Sequence, residues 1–290
     1  MPAVVITGTS TGIGRACALT LDAMGMQVFA GVRRREDGDA LRAAGSDRLT
    51  PVLLDVTDEA CIRAARDLVA ERVGGAGLTG LVNNAGTTVP CPVEYLPLDV
   101  FRRQLEVNLT GHLAVIQAFL PLLRRARGRI VNVSSVGGRV GAPLMGCYAA
   151  AKHGLEGLSD SLRLEMGPAG VHVCVVEPGF VATAMRGKLE RDTDTELQRL
   201  PREGRDAYGR QLTALAATIS REAADGSAPE VVARAVTHAL TSRRPRVRYP
   251  AGAGARRLLT LRRVLPDPWM DRIIGRATGY SAASRDAGRR

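Results

Sequence analysis

Lysine is almost missing from this chain, and its absence governs how the charge is read. Lys152 and Lys188 are the only two, so 38 of the 40 basic residues are arginine and the net charge of +11 reflects a compositional bias before it reflects a binding face. Aromatic residues make up only 3% of the chain, and no basic stripe is interleaved with them, so the stacking surface of a nucleic-acid binder is lacking. Nucleic acid is not an expected partner. Five cysteines, an odd number without a C-x-x-C pair, exclude a disulfide framework and fit a reducing compartment. His112, His153, His172 and His238 have no metal-ligand spacing, and no metal site is expected. Nor is there a charged leader backed by an apolar stretch, or an uninterrupted apolar run of membrane-spanning length. The expected location is cytoplasmic.

What the chain does have is length and alternation. Its 290 residues, 45% of them apolar, suffice for a large core, and strand and helix signals alternate without a linker, which predicts one α/β domain. The stretch from Ser134 to Lys152 begins where the apolar signal Arg129-Ile-Val-Asn-Val ends and finishes in an alanine-rich helix. Its hydroxyls therefore lie where a sheet meets solvent, the usual place for a site in such folds. Tyr148 and Lys152 are four apart and share a helix face. A cation beside a phenol favours phenolate and makes tyrosine a usable acid or base. A serine arriving from the strand adds a donor to the same substrate oxygen. Carbonyl reduction or its reverse is the predicted chemistry, and it needs a hydride source.

That source has a signature at the start of the chain. Val4-Val-Ile-Thr-Gly-Thr-Ser-Thr-Gly-Ile-Gly14 runs from an apolar strand through a glycine-rich turn into a helix, the context in which Gly8, Gly12 and Gly14 cradle a pyrophosphate against a helix N-terminus. The second strand signal, Gln27 to Val32, ends in Arg33, Arg34 and Arg35 rather than an acidic residue. Arg33 first, and Arg34 second, would accept the 2′-phosphate of NADP, so NADP(H) is preferred over NAD(H). Asp55 closes the third strand, where a carboxylate meets an adenine amino group. A helix from Asp58 to about Arg72 carries Ile62, Ala65, Leu68 and Val69 at helical spacing and reads as scaffold. Asn83-Asn-Ala-Gly86 ends the fourth strand, and Asn108 interrupts a helical pattern from Val100 to Arg127, there either to bond its own backbone or to bend the helix and hold a water.

Thr7-Gly-x-x-x-Gly-Ile-Gly14, Asp55-Val56, Asn83-Asn-Ala-Gly86, Asn108, Ser135, Tyr148-x-x-x-Lys152 and Pro178-Gly179 occur together and in order. This set resembles the short-chain dehydrogenase/reductase family over roughly residues 3–183. The resemblance implies a single-domain, doubly wound Rossmann fold with a seven-stranded parallel sheet and a C-terminal helical substrate lid. It implies a nicotinamide cofactor and a catalytic tetrad of Asn108, Ser135, Tyr148 and Lys152. Ser135 is carried over rather than Ser134 because it stands thirteen residues before Tyr148, the family spacing. Lys152 would lower the phenol pKa and bond the nicotinamide ribose, while Asn108 would position a water. Cofactor contacts fall to Gly8, Ser10, Gly12, Ile13, Gly14, Asp55, Val56, Asn83, Ala85, Gly86, Pro178, Gly179, Val181 and Thr183, besides Arg33, Arg34, Tyr148 and Lys152. The family's assembly implies a homodimer or homotetramer through the helices bearing Asn108 and Tyr148.

Ser135-Val-Gly-Gly138, Gly141-x-Pro143, Tyr148 to Leu158, Arg221-Glu-Ala-Ala, Pro229-Glu-Val-Val-Ala and Pro245-Arg-Val-Arg-Tyr249 are similar to the subgroup of estrogenic 17β-hydroxysteroid dehydrogenases and photoreceptor-type retinol dehydrogenases. Met145 departs from it, standing where a polar residue is expected, and Met185 to Gly226 has a sequence of its own. The expected division is a cofactor core over 1–180, a lid over 181–228 with a helical stretch around Tyr208 to Ile219, C-terminal helices and the last strand over 229–280, and a frayed tail over 281–290. Val89, Gly141, Ala142, Met145 and Met185 form an expected apolar pocket for a bulky hydrophobic alcohol, ketone or retinal-like aldehyde. Leu258, Leu261 and Leu265 line one face of an arginine-rich helix, which packs over a substrate entrance or partner subunit, or else makes a weak peripheral membrane contact. Two rival classes stand beside the enzyme: a non-catalytic NADP(H)-binding sensor, against which the intact tetrad argues, and a basic membrane-associated adaptor, which rests on charge alone.

Overall fold

The computed structural model describes residues 1–183 and 185–280, without the side chains of Met185, Arg186, Lys188, Leu189, Glu190 and Ala223. The Met185 pocket assignment and the tail at 281–290 lie outside the described residues. Seven strands, β1 (Ala3–Ile6), β2 (Gln27–Val32), β3 (Leu49–Leu53), β4 (Gly80–Asn83), β5 (Arg129–Val133), β6 (His172–Pro178) and β7 (Arg248–Ala251), form one sheet in the order β3-β2-β1-β4-β5-β6-β7. Every pairing is parallel. The order reverses between β1 and β4, and a sheet of this kind opens its crevice at that point, beyond the strands' C-terminal ends.

Between the strands run α1 (Gly12–Ala23), α2 (Arg35–Arg42), α3 (Glu59–Val73), α4 (Leu98–Leu105), α5 (Gly111–Ala126) and α6 (Gly146–Met166); α7 (Met185–Arg199), α8 (Arg202–Ala224), α9 (Pro229–Thr241), α10 (Ala255–Val264) and α11 (Asp267–Ala277) complete the chain. Successive strand residues point to opposite faces, and each face has its own core. Val4 and Ile6 pack with Leu21 of α1 and Val232 and Val236 of α9. Val5 packs on the other side with Ile62 of α3, Phe119 of α5 and Leu162 of α6. Strands buried on both sides are why the strand signals read as continuous apolar runs. Asp58 caps α3, accepting from Ala60 N at 2.8 Å and Cys61 N at 3.1 Å.

The structure refines two expectations. The first concerns α4, α5 and the π turn Glu106–Thr110 between them, which make one helical run, Leu98–Ala126, long and apolar enough by length and composition to cross a membrane. The sequence predicts the helix from Val100 to Arg127 but not a run of this apolarity, because the polar residues around Asn108 break the apolar pattern without breaking the helix. Its Val115, Ile116, Phe119 and Leu123 are spent on the core. The second is the helical lid with its stretch around Tyr208 to Ile219, which extends over two helices, α7 and α8. Leu212 and Leu215 of α8, with Leu200 in the link before it, form a third cluster with Leu144. Leu258, Leu261 and Leu265 are half-buried, and Arg262 of α10 donates to the Arg139 carbonyl at 3.3 Å. Trp269 on α11 is exposed, with the Arg272 guanidinium 5.3 Å above its ring.

Candidate active site

The glycine turn is built by close approach. Gly8 and Gly12 have φ of +68° and +56°, conformations that L side chains disfavour. A Cβ on Gly14 would lie 2.2 Å from the Gly8 carbonyl oxygen and 2.5 Å from Asn84 Nδ2. Asn84 is the residue the motif reading passed over. Its amide donates to the Thr7 and Gly8 carbonyls, both at 3.0 Å, while Thr7 Oγ1 accepts from Asn84 N and Ala85 N at 2.9 and 3.0 Å. Turn and β4 end are thereby locked across the crevice. The α1 N-cap, Thr11, makes no side-chain cap bond and the first turn holds no acidic residue, so the first amides of α1 remain donors for an anion. Ser10, Gly12 and Ile13 are half-buried at this turn, and Thr183 Cγ2 would lie 3.1 Å from a Cβ on Gly12. These residues fit a dinucleotide.

The other cofactor candidates divide. Asp55 Oδ1 accepts from Thr57 N and Oγ1 at 2.9 and 2.8 Å; burial pushes its pKa up, but these bonds and the Arg33 and Arg103 charges outweigh it and hold it below the usual range. Arg34, the second candidate for a phosphate, is engaged with Asp37 by two bonds of 3.0 Å, which keeps it behind Arg33. Arg33 is exposed and makes no ion pair among the described residues. The fully buried Asn83 side chain donates to Asn132 Oδ1 at 2.9 Å, and Asn132 to Ser159 Oγ at 2.8 Å, so the amide ties β4 to β5 and α6 and leaves the main chain at the strand end to face the crevice. Val56 is buried, and its carbonyl would lie 2.6 Å from a Cβ on Gly111. Val181 packs half-buried against the core, while Gly179 donates to the Ala251 carbonyl at 2.8 Å. Ala85 and exposed Gly86 follow β4, and Pro178 ends β6.

Ser135, Tyr148 and Lys152 converge beyond β5. Ser135 Oγ accepts from Gly137 N at 3.0 Å, starting the short turn Val136–Gly138. The Tyr148 ring lies over that turn, its Cε1 3.1 Å from where a Gly137 Cβ would be. Burial raises the phenol pKa, and the Ser135 hydroxyl pulls against it. The expected lowering by Lys152 is not what this structure gives. Lys152 is 4% exposed and donates to the Val133 carbonyl at 2.9 Å; burial brings it down to about 8, opposed by the charge of Glu156. Asn108 is also corrected in detail. The helix widens into the π turn Glu106–Thr110 there, and the Asn108 side chain binds Thr87, accepting from N at 2.8 Å and donating to O at 2.7 Å. What it can offer a water is main chain at the π turn. Ser134 Oγ, by contrast, is buried with no hydrogen-bond partner among the described residues.

His112, one of the four histidines without metal-ligand spacing, holds the segment next to the glycine turn. Fully buried, its Nε2 lies 2.7 Å from the Ala85 carbonyl oxygen. Its pKa falls to about 3, mainly by burial and further by the Lys152 charge. Because the folded value lies below the unfolded one, its contribution is lost as pH drops from about 6.5 toward 3, roughly 2 kcal/mol by pH 5. Glu177, raised to about 7 by burial, has the opposite sign from pH 7 to 4.5, so only a difference between variants isolates the histidine. The urea midpoint of His112→Gln is expected to fall less between pH 7 and pH 5 than that of the parent chain. Equal falls would refute the assignment.

The substrate-pocket candidates sit around the N-terminus of α6. Val89, Ala142 and Met145 are half-buried and Gly141 is exposed. Leu144 has a φ of +64°, unusual for a bulky residue, and is held by burial and by the Cys91 N–H, which donates to its carbonyl at 2.8 Å. Met145 joins the cluster under α7 and α8. A groove of about 690 Å³ along α1 and α9 meets the candidate site only at Gly12 and Thr183. It flanks the cofactor cradle and is not the substrate pocket.

The model of the short chain dehydrogenase family matches residues 2–194. The chain belongs to that family. Among its relatives is the human short-chain dehydrogenase/reductase family 9C member 7, 41% identical over 278 residues that span 94% of this chain and 88% of the relative. The human 17-beta-hydroxysteroid dehydrogenase type 6 is 40% identical over 94% of this chain and 88% of its own length. Mouse retinol dehydrogenase 5 is 40% identical over 93% and 87%. A crystal structure of a short-chain dehydrogenase from Streptomyces avermitilis superposes with a TM-score of 0.74 at 28% identity, covering 98% of this chain and 97% of that one. One from Burkholderia cenocepacia in complex with NADP gives 0.69 at 26% identity, covering 92% and 94%. As a short-chain dehydrogenase of the retinol and steroid dehydrogenase subgroup, the protein is an NAD(P)-dependent oxidoreductase acting on CH–OH groups.

Proposed function

We propose that this short-chain dehydrogenase prefers NADP(H) and interconverts a hydrophobic secondary alcohol and ketone of steroid size, or a retinal-like aldehyde and its alcohol. The observation that carries the reading is the convergence of Ser135, Tyr148 and Lys152 beyond β5, beside the crevice that opens at β1 and β4. When bound, a nicotinamide supplies or takes up the hydride. Ser135 Oγ holds the substrate oxygen, and Tyr148 donates its phenolic proton to that oxygen in reduction or removes it in oxidation. Lys152 keeps a positive charge behind the phenol, and main chain at Asn108 positions water that returns the proton.

The identity of the substrate class draws support from the relatives named as retinol and 17-beta-hydroxysteroid dehydrogenases. Apolar Val89, Ala142 and Met145 agree with it, and α7 with α8 forms the cover that keeps water from the reaction. Arg33, exposed and without an ion pair among the described residues, supports the choice of NADP. The test is nicotinamide absorbance with NADPH and NADH in parallel, against steroid ketones, retinal and polar sugars. Arg33→Asp is expected to move the ratio of NADPH to NADH efficiency by tenfold or more toward NADH, about 1.4 kcal/mol. An unmoved ratio removes Arg33 from the phosphate site, and activity on sugars alone removes the hydrophobic substrate. Cofactor binding without turnover on any of them would return the sensor reading.

A further inference from the structure

One helical turn beyond Lys152 on α6 stands Glu156, and one turn beyond that Asp160. Both converge on Arg248 of β7. Its Nε donates to Glu156 Oε2 at 3.1 Å and its Nη2 to Asp160 Oδ2 at 2.8 Å, while Glu177 of β6 lies 3.8 Å from Nε. Three carboxylates thus surround one guanidinium, and two of them are deep, with the Glu156 and Glu177 side chains only 5% and 3% exposed. Such a cluster is a poor way to gain stability, since each charge loses hydration. Its position suggests another use. The turn Val136–Gly138 lies against α6 between Lys152 and Glu156, so closely that a Cβ on Gly138 would be 3.1 Å from both the Lys152 carbonyl oxygen and Glu156 Cγ.

An ammonium buried as deeply as that of Lys152 tends to lose its proton unless an anion faces it. Tyr148 and His112 are its other titratable neighbours, and His112, held neutral by its burial, supplies no anion. Arg139 faces Glu177, and Arg163 pairs with Asp160 at 3.3 Å, so these two arginines balance the other two carboxylates. Glu156 is left to act on the lysine, and its charge is what opposes the effect of burial there. Glu177, driven up to about 7 by burial and by Glu156, holds a proton near neutrality and leaves Arg248 to engage Glu156.

We propose that Glu156, clamped by Arg248, is a positioning residue for Lys152: its buried carboxylate, one turn along α6, holds the charge of the ammonium that the Val133 carbonyl keeps in place. The consequence for turnover rests on the catalytic reading of Lys152, but the effect of Glu156 on Lys152 is testable without turnover. The chain holds only two lysines, Lys152 and Lys188, so lysine labelled with carbon-13 at Cε gives two resonances in the full chain, and Lys188→Arg assigns them. Glu156→Gln is expected to lower the Lys152 titration midpoint by at least about half a pH unit, with Glu156→Asp between it and the parent. The alkaline limb of kcat moves down by the same amount while activity at pH 6 is largely kept. A folded Glu156→Gln whose midpoint stays within about 0.2 unit of the parent overturns the proposal, even if turnover falls, because that is a merely structural role. Should Glu156→Gln fail to fold, Arg248→Lys, whose added lysine gives a third resonance absent from the parent, carries the same test: a lowered Lys152 midpoint supports the clamp and an unchanged one overturns it. A midpoint that moves in a chain inactive on every substrate would instead count against the proposed function alone.

Discussion

Tyr148→Phe is expected to lower kcat a thousandfold or more, within the range of about 10²- to 10⁴-fold that positioned acid–base groups contribute. The substitution removes one oxygen and keeps the ring, which packs over the Gly137 turn. Ser135 retains its bond from Gly137 N at 3.0 Å, so the turn has no reason to collapse. Burial favours the neutral phenol in the free protein, which suits the donor needed for carbonyl reduction. The reductive rate should therefore hold through neutral pH and decline as Lys152, at about 8, loses its charge. Oxidation needs the phenolate and should rise with pH before the same loss limits it. Steady-state rates in both directions from pH 6 to 9.5, with dinucleotide affinity read by fluorescence, test this. A Phe variant keeping more than a tenth of the parent rate would remove Tyr148 from the chemistry.

Much of this was legible in the sequence for a physical reason. Sheet residues buried on both faces leave apolar runs, and a turn that admits no side chain leaves glycines at fixed spacing. The Gly8, Gly12 and Gly14 set and the Tyr148 and Lys152 pair are local patterns, and each lies where the pattern places it. Interactions between segments distant along the chain were not legible. Nothing near Asn83 in the sequence says that Asn132, 49 residues on, will take its amide, or that the neighbouring Asn84 will be the one to brace the glycine turn. Asp37 is only three residues from Arg34, yet its claim on that arginine depends on α2 starting where it does. The helical pattern from Val100 to Arg127 was legible but the π turn inside it was not, and the pairing of α7 with α8 rests on leucines spaced too irregularly to announce two helices.

The phenol and lysine effects also show how far residue pairs can be read without their surroundings. Spacing alone argues that Lys152 lowers the Tyr148 pKa. In the fold both groups are buried, and desolvation acts on them in opposite senses, raising the phenol and lowering the ammonium. Each is thereby pushed toward its neutral form, and a fixed anion is needed to keep the lysine charged. Glu156 supplies one from the same helix, and Arg248, 92 residues further along, keeps it in place.

Gly14→Ala is expected to damage both stability and cofactor binding. The added methyl would stand 2.2 Å from the Gly8 carbonyl oxygen and 2.5 Å from Asn84 Nδ2, and neither can retreat cheaply. The Gly8 carbonyl belongs to a turn whose φ of +68° is already special, and the Asn84 amide is held by two 3.0 Å bonds to Thr7 and Gly8. Overpacking of this kind costs about 1–3 kcal/mol, and breaking the Asn84 bonds leaves polar groups unpaired. A fall of roughly 3–10 °C in Tm follows for a chain of this size. Moving the turn also withdraws the first amides of α1 from the pyrophosphate position, so NADPH affinity should drop a hundredfold or more. Gly75→Ala is the control, because a Cβ there meets nothing within 4 Å. Melting both variants with and without NADPH separates the two effects. A Gly14→Ala chain that keeps its NADPH-dependent rise in Tm would mean that the cradle binds the dinucleotide elsewhere than at this turn.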